Sequence, residues 1–276
     1  MKARQRLFSY LLAAVLAMSA APGIHARESA PSNGTQAGVR FYPAGEGTEQ
    51  NPWQIAIPGH LVWINAVPAR TQGYFLLVND ISAPTNIMIG SGSPAFPFSG
   101  SFDGGGNTIT VNINLPGQDN LGLFRRIGKQ GRVRNLTVAG RVTGQNYVGA
   151  LAGASSGHLS NIQADADVSG YLDVGGLVGR NDFGGEVIHS HASGAVNGVR
   201  NVGGLAGVND GTVRGSYASG DVRGSLGTGG LVGSNNASVV SSYATGNVSG
   251  EENVGGLLGK NYGSAAKSST AMPPEM

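Results

Sequence analysis

The 276-residue chain has no cysteine. No disulfide can staple it, and no thiolate is available for catalysis or for a zinc site. Charged side chains are scarce, at 12% of the residues, and aromatic ones make up 7%. The chain contains no HExxH zinc signature and no calcium-binding nonapeptide. The glycine run Asp103-Gly104-Gly105-Gly106-Asn107 lacks the Lys-Ser/Thr pair and the following helix of a nucleotide-binding loop, so it reads as a turn. Apolar residues run on at length only near the start, from Leu7 to Ala21. That run is too short and its side chains too small for a membrane-spanning helix.

Lys2, Arg4 and Arg6 precede this run, and Ile24-His25-Ala26 follows it. Residues 1–26 therefore read as a signal peptide cleaved after Ala26; cleavage after Ala21 would instead place Pro22 first. The expected location is secreted or at the cell surface of a bacterium, with no stable transmembrane segment once the leader is gone. Three of the 18 basic residues lie in the leader, which leaves 15 basic against 16 acidic side chains. The alkaline balance belongs to the leader, so nucleic acid is not an expected partner.

Glycine is abundant, at 47 residues, and much of it sits in a phrase that returns. VGALAG begins at Val148, VGGLVG at Val174, VGGLAG at Val202, TGGLVG at Thr228 and VGGLLG at Val254. The steps are 26, 28, 26 and 26 residues. A fixed period in this range marks a solenoid. The units are rich in Gly, Val, Ser, Thr and Asn, which disfavours helices and favours short strands. The predicted fold is all-β, a parallel β-helix with rungs of about 26 residues spaced about 4.8 Å apart. The two extra residues of the 28-residue step fall in Asn181-Asp182-Phe183-Gly184-Gly185, as expected of an elastic surface turn between rigid strands.

Stacking predicts columns. A Leu column (Leu151, Leu177, Leu205, Leu231, Leu257) and a Val column (Val148, Val174, Val202, Thr228, Val254) fill the interior. The Gly pair between them is expected to bulge the strand. Asn181, Asn209, Asn235 and Asn261, with Ser155 in the earliest copy, are expected to form an amide ladder.

The repeats NVGGLAGVNDGTVRGSYASGDVRG and TGGLVGSNNASVVSSYATGNVSG resemble GLUG-motif repeats of bacterial surface and secreted proteins. FSGSFDGGGNTITVNI and NLGLFRRIGKQGRVRNLTVAG are similar to the segments that usually precede them. The resemblance spans about Thr48 to Thr270. It implies a right-handed parallel β-helix and an extracytoplasmic location, and it implies no particular activity.

Residues 27–49 read as a flexible tether and 50–119 as an N-terminal cap with atypical early rungs. Residues 120–270 read as the GLUG-type β-helix and 271–276 as a disordered tail. The cap is expected from a strand at Trp53–Ile57 and a short helix over His60–Val67. Strands are also expected at Tyr74–Ile81, Asn86–Ile89 and Thr108–Leu115. Leu121–Gly144 reads as a degenerate first copy with Phe124 at the Leu position. The cycle breaks off at Pro273-Pro274, which leaves an edge open to self-association or to a partner.

Three constellations bear on function. Arg125, Arg126, Lys129, Arg132 and Arg134 crowd ten residues; they read as a solvated turn or as a docking patch for an anionic glycan or lipid headgroup. Tyr217 and Tyr243 stack one rung apart over His191, with Tyr147 displaced, a ladder for a sugar or for structure. Asp165 and Asp167 form the one close acidic pair in a strand, but no adjacent rung stacks a second acid on either. Arg141 beneath Asp167 suggests a surface ion pair. His189 and His191 are expected to share one strand face, with Asp182 near in sequence. That is too few ligands for a metal, and no cofactor is expected.

The expected function is a non-catalytic, adhesin-like binding or structural module for a glycan or for a host or envelope protein. The alternatives are a polysaccharide-degrading lyase or glycosidase, and a truncated passenger of a larger adhesin.

Overall fold

The computed structural model describes residues 42–91 and 96–263. The leader, the first part of the tether (27–41), and everything from 264 onward lie outside the described residues, the expected tail and open edge among them.

The chain winds as a parallel β-solenoid of about eight turns. Its long sheet stacks eight strands in sequence, from Trp53–Ile55 through Tyr74–Leu77, Ser101–Asp103, Arg132–Thr143, His158–Ser169, Glu186–Ile188 and Thr212–Arg214 to Ser238–Val240. A second sheet joins Asn146–Val148, Leu172–Gly175, Arg200–Gly203, Leu226–Gly229 and Glu252–Gly255. A third joins Phe124–Ile127, Ala152–Ser155, Val178–Asn181, Ala206–Asn209, Val232–Asn235 and Leu258–Asn261. Every pairing within these sheets is parallel and advances by one repeat, as in Val174↔Val202↔Thr228↔Val254. Leu159↔Val187 absorbs the 28-residue step, while Val187↔Val213 returns to 26.

Val148, Val174, Val202 and Thr228, and Leu151, Leu177, Leu205 and Leu231, are fully buried. In the last described rung Leu257 is only partly buried and Val254 is 44% exposed. Contrary to the bulge expected from the sequence, the glycine pair turns the chain between two strands. One strand ends at Gly203, in the second sheet, and the next begins at Ala206, in the third, so the pair is a corner. At this corner successive rungs touch backbone to backbone. A Cβ on Gly203 would lie 2.6 Å from the Gly233 nitrogen in the next rung, and one on Gly207 would lie 2.5 Å from the Asp173 carbonyl carbon in the rung before. The phrase thus records close approach of main chains as well as core filling.

Two more columns hold the corners. Asn135, Asn161, His189, Gly215 and Ser241 all have positive φ, one per rung. So do Asn120, Tyr147, Asp173, Asn201, Gly227 and Asn253. Asn, Asp and Gly suit this left-handed conformation; Tyr147, His189 and Ser241 occupy it at a cost of about 1–2 kcal/mol each. Just inside the first of these corners lies a buried serine column. Ser190 Oγ accepts from the Ile162 N–H, Ser216 Oγ from the Ser190 N–H, and Ser242 Oγ from the Ser216 N–H, each at 3.1 Å. The bend interrupts the rung-to-rung backbone ladder, and the hydroxyls supply the missing acceptors.

At the N-terminal end a helix, Pro58–Asn65, buries His60, Leu61 and Ile64. Trp53, Phe75, Phe98, Phe102 and Phe124 fill the first rungs with contacting rings, 4.9 Å apart at Phe98–Phe124. Several boundaries differ from expectation. Residues 42–49 belong to the folded part: Ala44 bridges Gln54, and the Gly47 carbonyl accepts from the Tyr74 N–H. Tyr74–Ile81 splits into two strands, and Asn86–Ile89 makes only the single bridge Ile89↔Phe124. Phe124 aligns with Ala152, one place beyond the Leu column, because the first copy is a residue shorter ahead of it.

Candidate binding faces

His191, Tyr217 and Tyr243 occupy one outward column, in register with Gln163 below. Inward-facing Ala192, Ala218 and Ala244 alternate with them along the strands. The rings lie 4.7 and 5.0 Å apart and within 3° of parallel. Stacked in this way they cover each other's faces and offer solvent mainly their edges and hydroxyls, so the column works first as a cross-rung brace. Tyr147 lies in the second sheet and takes no part.

The five clustered cations do not form one patch. Arg125 and Arg126 lie on the third sheet, Arg132 and Arg134 on the long sheet, and Lys129 in the turn between. A corner intervenes that residue spacing alone does not reveal. Arg125 Nη2 donates to the Asp119 carbonyl at 3.0 Å. Arg126 Nη2 pairs with Asp182 Oδ2 at 3.4 Å and Arg134 Nε with Asp103 Oδ2 at 2.8 Å. Partial burial alone would raise the Asp103 carboxyl. The Gly105 N–H and the side chains of Arg134 and Asn135 outweigh that and hold it below its usual range. Lys129 and Arg132 have no ion-pair partner among the described residues.

The acids Asp165 and Asp167 face out, and both are engaged. Gln163 Nε2 donates to Asp165 at 2.5 Å and Ser193 Oγ at 2.6 Å. Asp167 accepts from the Ala195 N–H at 3.1 Å and pairs with Arg141 at 3.7 Å. In the next rung but one, Asp221 accepts both the backbone and side-chain N–H of Asn247 at 3.0 Å. These carboxylates tie one rung to the next.

His189 and His191 do not share a strand face, because His189 sits on the left-handed corner. Asp182 turns instead to Arg126 and Arg180. Among the described residues no group of three or more His, Cys, Asp or Glu side chains gathers.

One arrangement was missed from the sequence. Arg180 pairs with Asp182 Oδ1 at 3.1 Å and with Asp210 Oδ2 at 2.6 Å, and Asn236 Nδ2 donates to Asp210 at 2.7 Å. With Arg126 they form a charged row across the third sheet, beside Phe183, which is 90% exposed at the tip of the inserted turn. Asp182, Asp210 and Asn236 fall at one place in the cycle, and that recurrence was the available signal. Burial pushes the Asp182 carboxyl up despite Arg126 and Arg180.

Comparison with known proteins agrees with the repeat. The chain is 34% identical to halomucin of Haloquadratum walsbyi over 149 residues, half of this chain and 2% of that protein. It is 36% identical to a candidate Gly-rich membrane protein of Evansella cellulosilytica over 189 residues, 53% of this chain and 22% of that one. The chain therefore spans a small part of either relative. In fold it is similar to a candidate immunoglobulin A1 protease from Bacteroides ovatus, with a TM-score of 0.58 over 82% of this chain and 77% of that one, at 20% identity. The GLUG motif profile matches residues 170–197 and 198–223, two successive turns of the solenoid. The chain carries GLUG-motif repeats, wound into a parallel β-solenoid.

Proposed function

We propose that this chain is a surface-displayed, non-catalytic solenoid that offers its outer faces to a glycan or a protein. The observation that carries the reading is the state of the outward carboxylates. Asp165, Asp167 and Asp221 are each spent on donors from the adjoining rung, so none of these three stands free as a general acid or base. The similarity to halomucin and to a Gly-rich membrane protein supports a place at the cell surface. The leader-like first 26 residues support export. No helix among the described residues is long and apolar enough to cross a membrane.

The test is a screen of the purified chain on a glycan array and on envelope and matrix proteins, alongside an assay for reducing ends and unsaturated products on acidic polysaccharides. Binding without product formation is expected. Release of product that Asp165→Asn or Asp167→Asn abolishes would replace the binding reading with a catalytic one.

A further inference from the structure

A groove of about 490 Å³ opens on the outer face of the early rungs. Tyr74, Ser101 and Arg132 form one register column along it, and Leu76, Asp103 and Arg134 the next. Glu49 and Pro52 also line it. It carries an unpaired charge. The Asp103 carboxylate is consumed by Arg134, Asn135 and the Gly105 N–H. The Arg132 guanidinium has no partner among the described residues, and the Glu49 carboxylate forms no ion pair there. Tyr74 is 38% exposed, and among the described residues its ring stacks on no other, unlike those of Tyr217 and Tyr243.

From this geometry we infer that the groove binds a carboxylated sugar, a uronic acid unit within a glycan. The inference rests on the binding function proposed above and names its ligand and place. A guanidinium without a partner presents a planar fork that matches a carboxylate in two parallel hydrogen bonds. An open tyrosine face takes the apolar face of a pyranose ring. Glu49 and the Ser101 hydroxyl accept and donate to ring hydroxyls across the groove. A neutral sugar leaves Arg132 unanswered. A simple anion leaves the ring and Glu49 without a role.

The test is calorimetric titration of the chain with an oligogalacturonate and with its carboxyl-reduced, neutral counterpart. The acidic oligomer is expected to bind and the neutral one to bind about tenfold or more weakly. Arg132→Gln and Tyr74→Ala each weaken the acidic oligomer by about tenfold, and Arg132→Lys falls between, since it keeps the charge and loses the fork. Arg223→Gln, on a distant strand, leaves binding unchanged. Circular dichroism and melting temperature verify that each variant is folded. Should a variant fail to fold, the two ligands on the unaltered chain and Arg132→Lys carry the test. Equal binding of both oligomers, no binding of the acidic one, or an unchanged Arg132→Gln overturns the proposal. If other glycans or proteins still bind the chain, only this site assignment fails. If nothing binds, the function proposed above fails with it.

Discussion

Asn181 donates its side-chain amide to Asn209 Oδ1 at 2.7 Å, yet its own Oδ1, fully buried, receives no hydrogen bond from the described residues. Asn209 donates onward to Asn235 at 2.8 Å and Asn235 to Asn261 at 2.9 Å. The ladder has a direction, and its first acceptor is orphaned because the preceding rung carries Ser155, in register with Asn181. Ser155→Asn is expected to donate to that oxygen and stabilise the fold by about 0.5–1.5 kcal/mol. A thermal or urea melt measures it; a lower midpoint would mean the corner has no room for the longer amide.

Thr228 stands in the Val column, fully buried, with its hydroxyl unpartnered among the described residues. Its neighbours in register are Val202 and Val254. Thr228→Val exchanges a stranded hydroxyl for a methyl of like shape. It is expected to stabilise by about 1–2 kcal/mol in a denaturant titration with unchanged slope.

Gly203 is fixed by its neighbours' backbones. An added Cβ would meet the Ala206 oxygen at 2.1 Å and the Gly233 nitrogen at 2.6 Å. Glycine recurs in this column at 149, 175, 229 and 255. Gly203→Ala is expected to cost about 1–3 kcal/mol as the corner is pushed apart. Ala150, which replaces the second glycine of the phrase in an early rung, marks the more tolerant position. A Cβ on Gly204 would meet the Gly230 oxygen at 2.2 Å, nearly as close. The smaller cost expected of Gly204→Ala in the same melt therefore rests on the alanine accepted at position 150, and the reverse order would show that this early rung relaxes where the later ones do not.

Asp173 is buried in a left-handed corner, where it accepts from Asn201 Nδ2 at 2.7 Å. Burial raises its carboxyl above the ordinary value despite Asn201 and Arg180. A group with a raised folded pKa contributes stability that is complete below its unfolded pKa and is lost as pH rises through the folded one. Asp173→Asn, which keeps the acceptor and suits the corner, should therefore raise the melting temperature near neutral pH. The gain should shrink as the pH falls through the carboxylate range. A gain independent of pH would assign the effect to the backbone rather than to charge.

Much of the fold was legible because a solenoid repeats its environment. Each core position is sampled five times over in the phrase, and the two-residue insertion separates rigid segments from an elastic turn. The Asn ladder and the Arg141–Asp167 pair could be found by stepping one period at a time. The positive-φ columns were harder to read. Asn135, Asn161, His189, Gly215 and Ser241 share a backbone conformation, but after the two asparagines each rung carries a different side chain, so identity gave no continuous column to follow. The split of the basic cluster was hidden for a related reason. Arg126 and Arg132 are six residues apart, and only the corner between them decides that they lie on different sheets.

The sequence alone determined the period, the parallel stacking and the interior columns, since those follow from which residue types recur and how often. The tertiary structure alone decided which outward side chains meet. That choice depends on where corners fall, which faces of stacked rings remain open and which charges already have partners across rungs. Arg132 and Arg134 are alike in sequence, two apart on one strand. The first reaches solvent unpaired and the second is held by Asp103, because the rung below placed an acid under one and a serine under the other.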